Sequence, residues 1–481
     1  MADVTPQQWR DKLLPRLVQR MSYVSAQRRW YDGPHPWPTA PSTTNDLYER
    51  FCRLAETNVC GLVVDAPMER LRVDGVRLSA DPGADLDAWD RVWQRNQLDA
   101  GSVSAHEEAL KVGSGYVLVW PAGDAGPQVT IEDALECIVA YEPGSRRVRR
   151  AALKAFTDPD AGEQVVTVWT PAEVVTWRRP VAESILAVDS LAWGRPLVDA
   201  SGWTIDEQAS GPHQFRAVPL VELNPRAVEI SRSVVTIQQR INKAMFDSLV
   251  IGEYQAFRQR YAIGIEVKTD AEGNPVNPLQ SGPERVWLLE SDDPSTAKIG
   301  ELAAADLSDH EKRIDGDIHR LAAVTKTPLY YVSGGLVNVS ADAIRAAEAG
   351  LIAKCRNHQL MFGQSWEEVF RLALIADGQT PPEMIEMVWA DPESRSLAER
   401  ADAALKLRQA GYPFSAVARK MGETQVEIDR LVAEAGARST EQELGELVQK
   451  VYLGVPDVVS ASEARALLAR AGFPLSVSSG P

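Results

Sequence analysis

The chain has 481 residues, 44% of them hydrophobic and 25% charged, and a formal net charge of −16. That length exceeds what one hydrophobic core serves and predicts roughly two to four domains of ordinary soluble composition. The acidic balance excludes a protein that coats nucleic acid by neutralising phosphates, which needs clustered Lys and Arg, but not a conduit that touches DNA weakly.

No apolar run approaches the ~20 residues that cross a bilayer, and MADVTPQQWRDKLLPRL lacks the apolar stretch of a signal peptide, so the chain is expected to stay in the cytoplasm where it is made. Cys52, Cys60, Cys137 and Cys355 lie in apolar-periodic segments without CxxC spacing. They are expected to be buried thiols rather than metal ligands or disulfides.

In chain order, residues 5 to 30 read as a helix with Trp9, Leu13, Leu17 and Met21 on one side, stopped by Asp32-Gly33-Pro34-His35-Pro36. Helical spacing resumes over 45 to 60 through Leu47, Phe51, Leu54 and Asn58, and carries on from Val63 to Leu71. LRVDGVRL predicts a short strand pair around Asp74-Gly75. Leu86, Trp89, Trp93 and Leu98 mark a further helix, and Ser102 to Val112 another that leads to Gly113. From Gly115 to Leu223 the period switches to two. GYVLVW, QVTIE, CIVAY, RRAALKAF, QVVTVWT, EVVTW and FRAVPLVEL read as strands of an antiparallel sheet, which makes the fold class α+β.

Asn224 to Tyr261 then reads as one long helix, capped by Asn224 and Pro225, with Ile230, Val234, Ile237, Ile241, Met245 and Leu249 on a single stripe. Roughly 33 helical residues would span about 50 Å. Arg226, Arg232, Arg240, Lys243, Arg258 and Arg260 outnumber Glu229, Asp247 and Glu253, which gives this strut a charge of roughly +3. Residues 262 to 300 read as a small inserted β module, with AIGIEV and RVWLL as strands and an acidic loop at Glu290, Asp292 and Asp293. A return helix covers 302 to 324. After TKTPLYYVSG and its loop comes a second long helix, Ser340 to Ala376, in which Gly350 and Gly363 require a kink or a close packing contact. The strand EMIEMVWAD and shorter helices follow, and LSVSSGP is expected to be disordered.

Catalytic signatures are absent: there is no GxxxxGK[ST], GxSxG, HExxH or EF-hand loop, and Gly113-Ser-Gly115 is too short for a dinucleotide fingerprint. Asp306, Asp309, His310, Glu311, Asp315, Asp317 and His319 form the one cluster with metal-ligating chemistry. His310 and His319 are nine apart, which does not converge as an i, i+4 pair would, and a solvated face is the simpler reading. Residues 414 to 431 resemble a helix-turn-helix around Gly422, but Glu423, Glu427 and Asp429 against Arg430 have the wrong sign for a major groove, so a packing motif is the simpler reading.

The order of elements (helices, antiparallel sheet, long strut, β insertion, return helix, Gly-rich loop, long helix, terminal helices) resembles the portal proteins of tailed bacteriophages, especially those of siphophages infecting actinobacteria. RRWYDGPHPWP is similar to that family's early Tyr-x-Gly element. NVCGLVVDAPMERLRVDGV resembles its segment with Asn58, Val63-Val64-Asp65, Arg70-Leu71 and Gly75, and WDRVWQRNQLDAGSVSAHEEALKVGSGYVLV its helix pair before the first sheet strand. TKTPLYYVSG resembles the junction before the tunnel loop. The similarity covers about residues 20 to 410, and no motif in it is catalytic.

The resemblance implies a portal fold with an α/β wing, a two-helix stem, a small β-containing clip, a long kinked tunnel helix and a helical crown. The expected divisions are wing 1–223, first stem helix 224–261, clip 262–300, second stem helix 301–327, tunnel loop 328–340, kinked helix and wing strand 341–393, crown 394–471 and a disordered tail 472–481. It implies a homo-dodecameric ring at one capsid vertex of the virion, assembled in the host bacterial cytoplasm. Double-stranded DNA would be packaged through the ring by the terminase large subunit and later ejected. A head completion or adaptor protein, the major capsid protein and a scaffold would be the other partners, with no membrane, cofactor, metal or catalytic residue. Gly334, Gly335, Leu336, Val337, Asn338 and Val339 would form the tunnel loop. Arg285, Glu290, Asp292 and Asp293 would form the clip surface that meets terminase or adaptor. Arg232, Arg240, Lys243 and Arg258 on the stem would face either the channel or the next subunit, and the sequence leaves both open. The competing functions are a metal-dependent hydrolase or nuclease using residues 306–319, and a DNA-binding protein using 414–431.

Overall fold

The computed structural model of the protein describes residues 4–37, 45–78, 82–121, 123, 126–145, 147–181, 202–256, 260–263, 298–301, 307–333, 341–393, 397–421, 428 and 430–433. The chain divides into two compact units, one of residues 1–73 and 77–392 and the other of 74–76 and 393–481.

Helix α1, Pro6–Asp32, is fixed at both ends by its own sequence. Thr5 and Gln8 form a reciprocal capping box, Pro6 occupies the first turn, and Gly33 at φ 114° closes the C-terminus by donating to the Arg29 carbonyl at 3.1 Å. Its stripe of Leu13, Leu14 and Leu17 is buried against a six-stranded antiparallel sheet made of β4 (Cys137–Tyr141), β5 (Arg149–Asp158), β6 (Glu163–Trp169), β7 (Glu173–Pro180) and the short β8 (Thr204–Ile205) and β9 (Gly211–Pro212). In this meander Leu153 stands opposite Val168, and Val168 opposite Val175. A second, three-stranded antiparallel sheet has the order β10 (Leu220–Leu223), β2 (Gly115–Pro121), β3 (Pro127–Glu132). The expected antiparallel character therefore holds, in two sheets rather than one. Val24, Val112, Tyr116, Cys137, Ala152 and Leu220 share one core cluster drawn from both.

Between α1 and the sheets, the apolar run from 45 to 71 makes two helices, α2 (Asn45–Ala55) and α3 (Cys60–Met68). Asn58 separates them: its Oδ1 accepts from the Cys60 and Gly61 N–H groups, an N-terminal cap that ends one helix and starts the next. LRVDGVRL is a single strand, β1 (Val73–Arg77), and not a hairpin at Asp74-Gly75. Val73 and Val76 are both buried, so burial and not turn chemistry decides the backbone there.

Helix α4 (Pro82–Ala88) continues into a π-helical turn, Trp89–Gln94, before α5 (Leu98–Val112). Trp89 and Trp93 stack at 4.7 Å, and Phe370 stacks on both at 6.2 Å. The wider turn closes with the Arg95 N–H donating to the Asp90 carbonyl at 3.0 Å, and Gln97 at φ 54° ends it. The chain could not carry one α stripe from Leu86 to Leu98, because Trp93 and Leu98 are five residues apart.

The strut is shorter than expected. Asn224 does not cap a helix: its Oδ1 accepts from the Arg226 N–H at 2.8 Å and Arg226 turns to φ 67°. Helix α6 begins only at Arg232 and ends at Ala256, 25 residues or about 37 Å. Ile230, Val234, Ile237 and Ile241 are buried as the stripe required, whereas Met245 and Leu249 are only half-buried. The return helix α7 is Ser308–Thr325, and the short α8 is Leu329–Ser333.

Helix α9, Ala341–Ala376, is continuous over 36 residues. A Cβ at Gly350 would lie 3.4 Å from the Lys326 Cβ, and one at Gly363 would lie 3.3 Å from the Trp389 Nε1. Close packing is thus what Gly363 serves, whereas the contact at Gly350 is at the edge of the ordinary van der Waals range. Strand β13, Glu386–Trp389, follows. The second unit contains α10 (Leu397–Gln409) and α11 (Phe414–Lys420). Of the resembled helix-turn-helix the first helix is described, together with helical residues 428, 430 and 431 of the second, and 422–427 and 429 lie outside the described residues.

Candidate functional site

Helices α6 and α7 pack against each other, and the insertion between them is reached through an antiparallel neck of β11 (Arg260–Ile263) and β12 (Lys298–Glu301). In its register Arg260 pairs with Glu301 and Ile263 with Lys298. The chain therefore leaves and returns at one point, as a module carried on a helical pair must. Of the expected clip surface, Arg285, Glu290, Asp292 and Asp293 lie outside the described residues, as do Arg258 and the RVWLL strand.

The helical pair is locked by a carboxylate. Asp317 on α7, with a side chain only 3% exposed, accepts from Arg240 Nε on α6 at 3.1 Å and from Arg320 Nη1 at 2.7 Å. Burial alone would push the Asp317 carboxyl up. The hydrogen bonds from Arg240 and Arg320 outweigh it and hold the group below the usual carboxylate range. Arg232 is exposed at the start of α6, and Lys243 pairs with Asp247 one turn on. Without Arg226, Glu229, Arg258 and Arg260, α6 carries three cations and two carboxylates, a net +1 instead of the expected +3. The pair as a whole is neutral, +1 on α6 against −1 on α7, and the cations gather only locally: Arg240 and Lys243 from α6 join Arg313 and Arg320 from α7 around an open groove of about 710 Å³ with Asp317 in its wall.

The base of α6 is held by buried polar groups. Glu229 accepts from Lys354 Nζ at 2.7 Å and pairs with His358 Nε2 at 2.9 Å, both from α9, and its N–H donates to the Leu110 carbonyl at 3.0 Å. Burial pushes the Glu229 carboxyl up, but His358 and Lys354 outweigh it and hold it low. Lys354 also donates to the Thr325 carbonyl at 2.9 Å, in the last turn of α7. On the other side Gln238 donates to the Thr57 carbonyl at 2.6 Å and to Asn242 Oδ1 at 2.7 Å, and accepts from the Val59 N–H at 2.9 Å. Asn242 Nδ2 stands 2.9 Å from His35 Nδ1. The other His35 nitrogen, 3.2 Å from the Trp30 carbonyl, must be its donor, so Nδ1 accepts and the ring is neutral. Burial lowers the His35 pKa further than Glu56 raises it.

The loop from Gly334 to Val339 lies outside the described residues, but its flanks are clamped. Arg70 donates to Glu348 Oε1 on α9 at 2.8 Å and to the Pro392 carbonyl at 2.9 Å, and the Tyr330 hydroxyl of α8 donates to the same Glu348 oxygen. The Arg70 and Tyr330 hydrogen bonds outweigh burial and hold the Glu348 carboxyl low.

The acidic-histidine cluster is not brought together. Asp317 is taken by two arginines, Asp309 pairs with Lys312 at 3.3 Å, and His319 Nδ1 lies 2.7 Å from the Asp315 carbonyl of its own helix. Among the described residues, which exclude Asp306, no three His, Cys, Asp or Glu are placed to hold a metal ion. All four cysteines are free and buried; burial pushes the Cys60 thiol up to about 12 and Cys355 to about 11. No helix among the described residues is long and apolar enough to cross a membrane.

Sequence reasoning missed Glu229, Lys354, His358, Arg70 and Glu348. Lys354 and His358 stand four apart on one face of α9, a spacing that could have flagged a shared partner. That partner lies more than 120 residues away, and no local signal announces it.

The helical pair carries its insertion on the β11–β12 neck and is tied at its base to α9 through Glu229. Residues 11–420 match the family described as "Phage portal protein, SPP1 Gp6-like". The chain belongs to that family, has its portal fold, and acts as a phage portal protein, a structural component of the virion. Among its relatives, the portal protein of Mycobacterium phage L5 is 28% identical over 415 residues, and that of Mycobacterium phage D29 is 29% identical over 416. Each match covers 81% of this chain and 78% of the relative. A chain from the virion of a native gene transfer agent particle is 14% identical, covers 83% of this chain and 93% of its own, and has a TM-score of 0.42.

Proposed function

We propose that twelve copies form a ring at one capsid vertex, through which double-stranded DNA is packaged by the terminase large subunit and later ejected. In this reading α6 and α7 are the stem, 262–300 the clip that meets terminase and then a head completion protein, and 334–339 the loop that borders the DNA. Residues 1–223 with β13 form the wing towards capsid and scaffold, and 394–471 the crown. The chain contributes no catalysis, which the terminase supplies.

The observation that carries this reading is the fading of the strut's apolar stripe. Ile230 to Ile241 are buried at the base, but Met245, Leu249 and Ile251 on α6 and Ile314 and Ile318 on α7 stay half-buried towards the insertion. A single chain leaves that surface wet, and side-by-side copies in a ring would bury it. Electron microscopy with native mass spectrometry of the full chain tests this. Rings with a central channel and a mass near twelve times 52.8 kDa are expected. A compact dimer with no channel would end the proposal.

A further inference from the structure

The groove between α6 and α7 is basic on a chain of net charge −16, and this same chain carries the complementary face. Arg313, Asp317 and Arg320 follow one flank of α7 at steps of four and three. Glu311 and Asp315, four apart, lie roughly 170° round the helix from the two arginines at 100° per residue. Both acids are exposed, and neither carboxylate has a cation partner among the described residues. Arg313 is exposed and has no carboxylate partner among them either. Helix α7 therefore carries its two groove arginines on one side, alongside Asp309 and Asp317, and Glu311 and Asp315 on the other, with the buried Leu321 between.

We infer that the basic groove of one copy receives Glu311 and Asp315 of the next, a head-to-tail charge contact that closes the ring; this rests on the ring reading above. Such a contact joins two different faces, the kind of interface that propagates around a cycle. Glu311, Arg313 and Asp315 lie within about 6 Å of one another in height along the helix. Where copies are related by rotation about an axis along α7, opposite charges then meet without sliding. Duplex DNA is the less favoured occupant. The four groove cations already face the Asp317 and Asp247 carboxylates, which leaves a surplus of two charges that Glu311 and Asp315 of one neighbour match.

Two reversed chains test this, Glu311→Lys with Asp315→Lys, and Lys243→Glu with Arg313→Glu, each checked for folding by circular dichroism. Each alone should have a per-contact affinity lower by about tenfold or more, enough to prevent ring closure. Mixed in equal amounts, they should recover rings in which the two variants alternate, since each reversed face then meets its opposite. Wild-type rings should also loosen between about 0.1 M and about 1 M salt. Either variant assembling alone as the wild type does would overturn the inference, as would two folded variants whose mixture forms no rings. Normal rings that no longer package DNA would give the groove to DNA instead. A wild-type chain that never forms rings would instead overturn the ring reading, before any variant is made.

Discussion

Glu229 is the hub on which the base of the helical pair depends, and Glu229→Ala measures it. The Glu229 side chain is 9% exposed, Lys354 14% and His358 7%, so removing the carboxylate leaves a buried ammonium with only the Thr325 carbonyl. Breaking one side of such a pair costs about 3–5 kcal/mol, and the partial exposure of Lys354 places this site near the lower end. Glu229→Met with Lys354→Met removes both charges and should cost about 1 kcal/mol, the remainder being the lost hydrogen bond to Thr325. With Glu229→Met and Lys354→Met also made singly, the double-mutant cycle should give a coupling of at least about 2 kcal/mol. Amide hydrogen exchange across 350–358 and 229–237 reads it as a fall in the local opening free energy. The folded carboxyl is held below its ordinary value, so its contribution is present in full above about pH 4.5 and is lost as pH falls through the folded value. A Glu229→Ala cost under about 1 kcal/mol, or additive single and double variants, would show that the ion pair does not hold the helix base.

Four further outcomes are expected. His35 is kept neutral by burial, so the network through Asn242 and Gln238 should be stable above about pH 6.5 and weaken as pH falls through the folded value; the His35 imidazole resonance followed by NMR gives the midpoint, and one above 6.5 would contradict this. A Cβ at Gly115 would meet the Ala105 backbone oxygen at 2.4 Å, so Gly115→Ala should destabilise by about 2 kcal/mol or more in urea unfolding, whereas Gly144→Ala, with no neighbour within 4 Å, should show only the strain of its positive φ. Substituting both Gly334 and Gly335 by alanine should impair DNA packaging or retention in particles without preventing ring formation. Asp292→Lys with Asp293→Lys should weaken docking of the terminase or adaptor in a pull-down, with ring mass unchanged.

Local patterning made the elements legible, and distant partners moved their ends. The strand series from Gly115 to Leu223 was readable because a half-buried strand must alternate, and each expected strand there has a counterpart. The Ile230 to Ile241 stripe was readable for the same reason at helical period. The start of the strut was not, since Asn224-Pro225 reads equally as a helix start or as the turn it makes. Glu229, which looked like a helix-surface charge, is drawn out of the helix by Lys354 and His358. Asp317 illustrates the same limit. Read from the sequence as part of a solvated acidic face, it is buried, and only the packing of α6 on α7 shows that Arg240 claims it.

The acidic sum of the chain and a DNA conduit are reconciled by where the cations stand. A wall that bound phosphates strongly would resist translocation, because each neutralised phosphate adds to the affinity and to its salt dependence. In the helical pair Arg240 and Arg320 share Asp317, and Lys243 holds Asp247, so two of these three positive charges are offset before any ligand arrives. If Glu311 and Asp315 of the next copy then occupy the groove, Arg313 is offset as well, and the stem shows DNA a nearly neutral wall. The salt dependence of duplex DNA binding by assembled rings should accordingly be shallow, with a slope well below one per subunit, and a steep slope would mean that the stem cations face the channel unpaired.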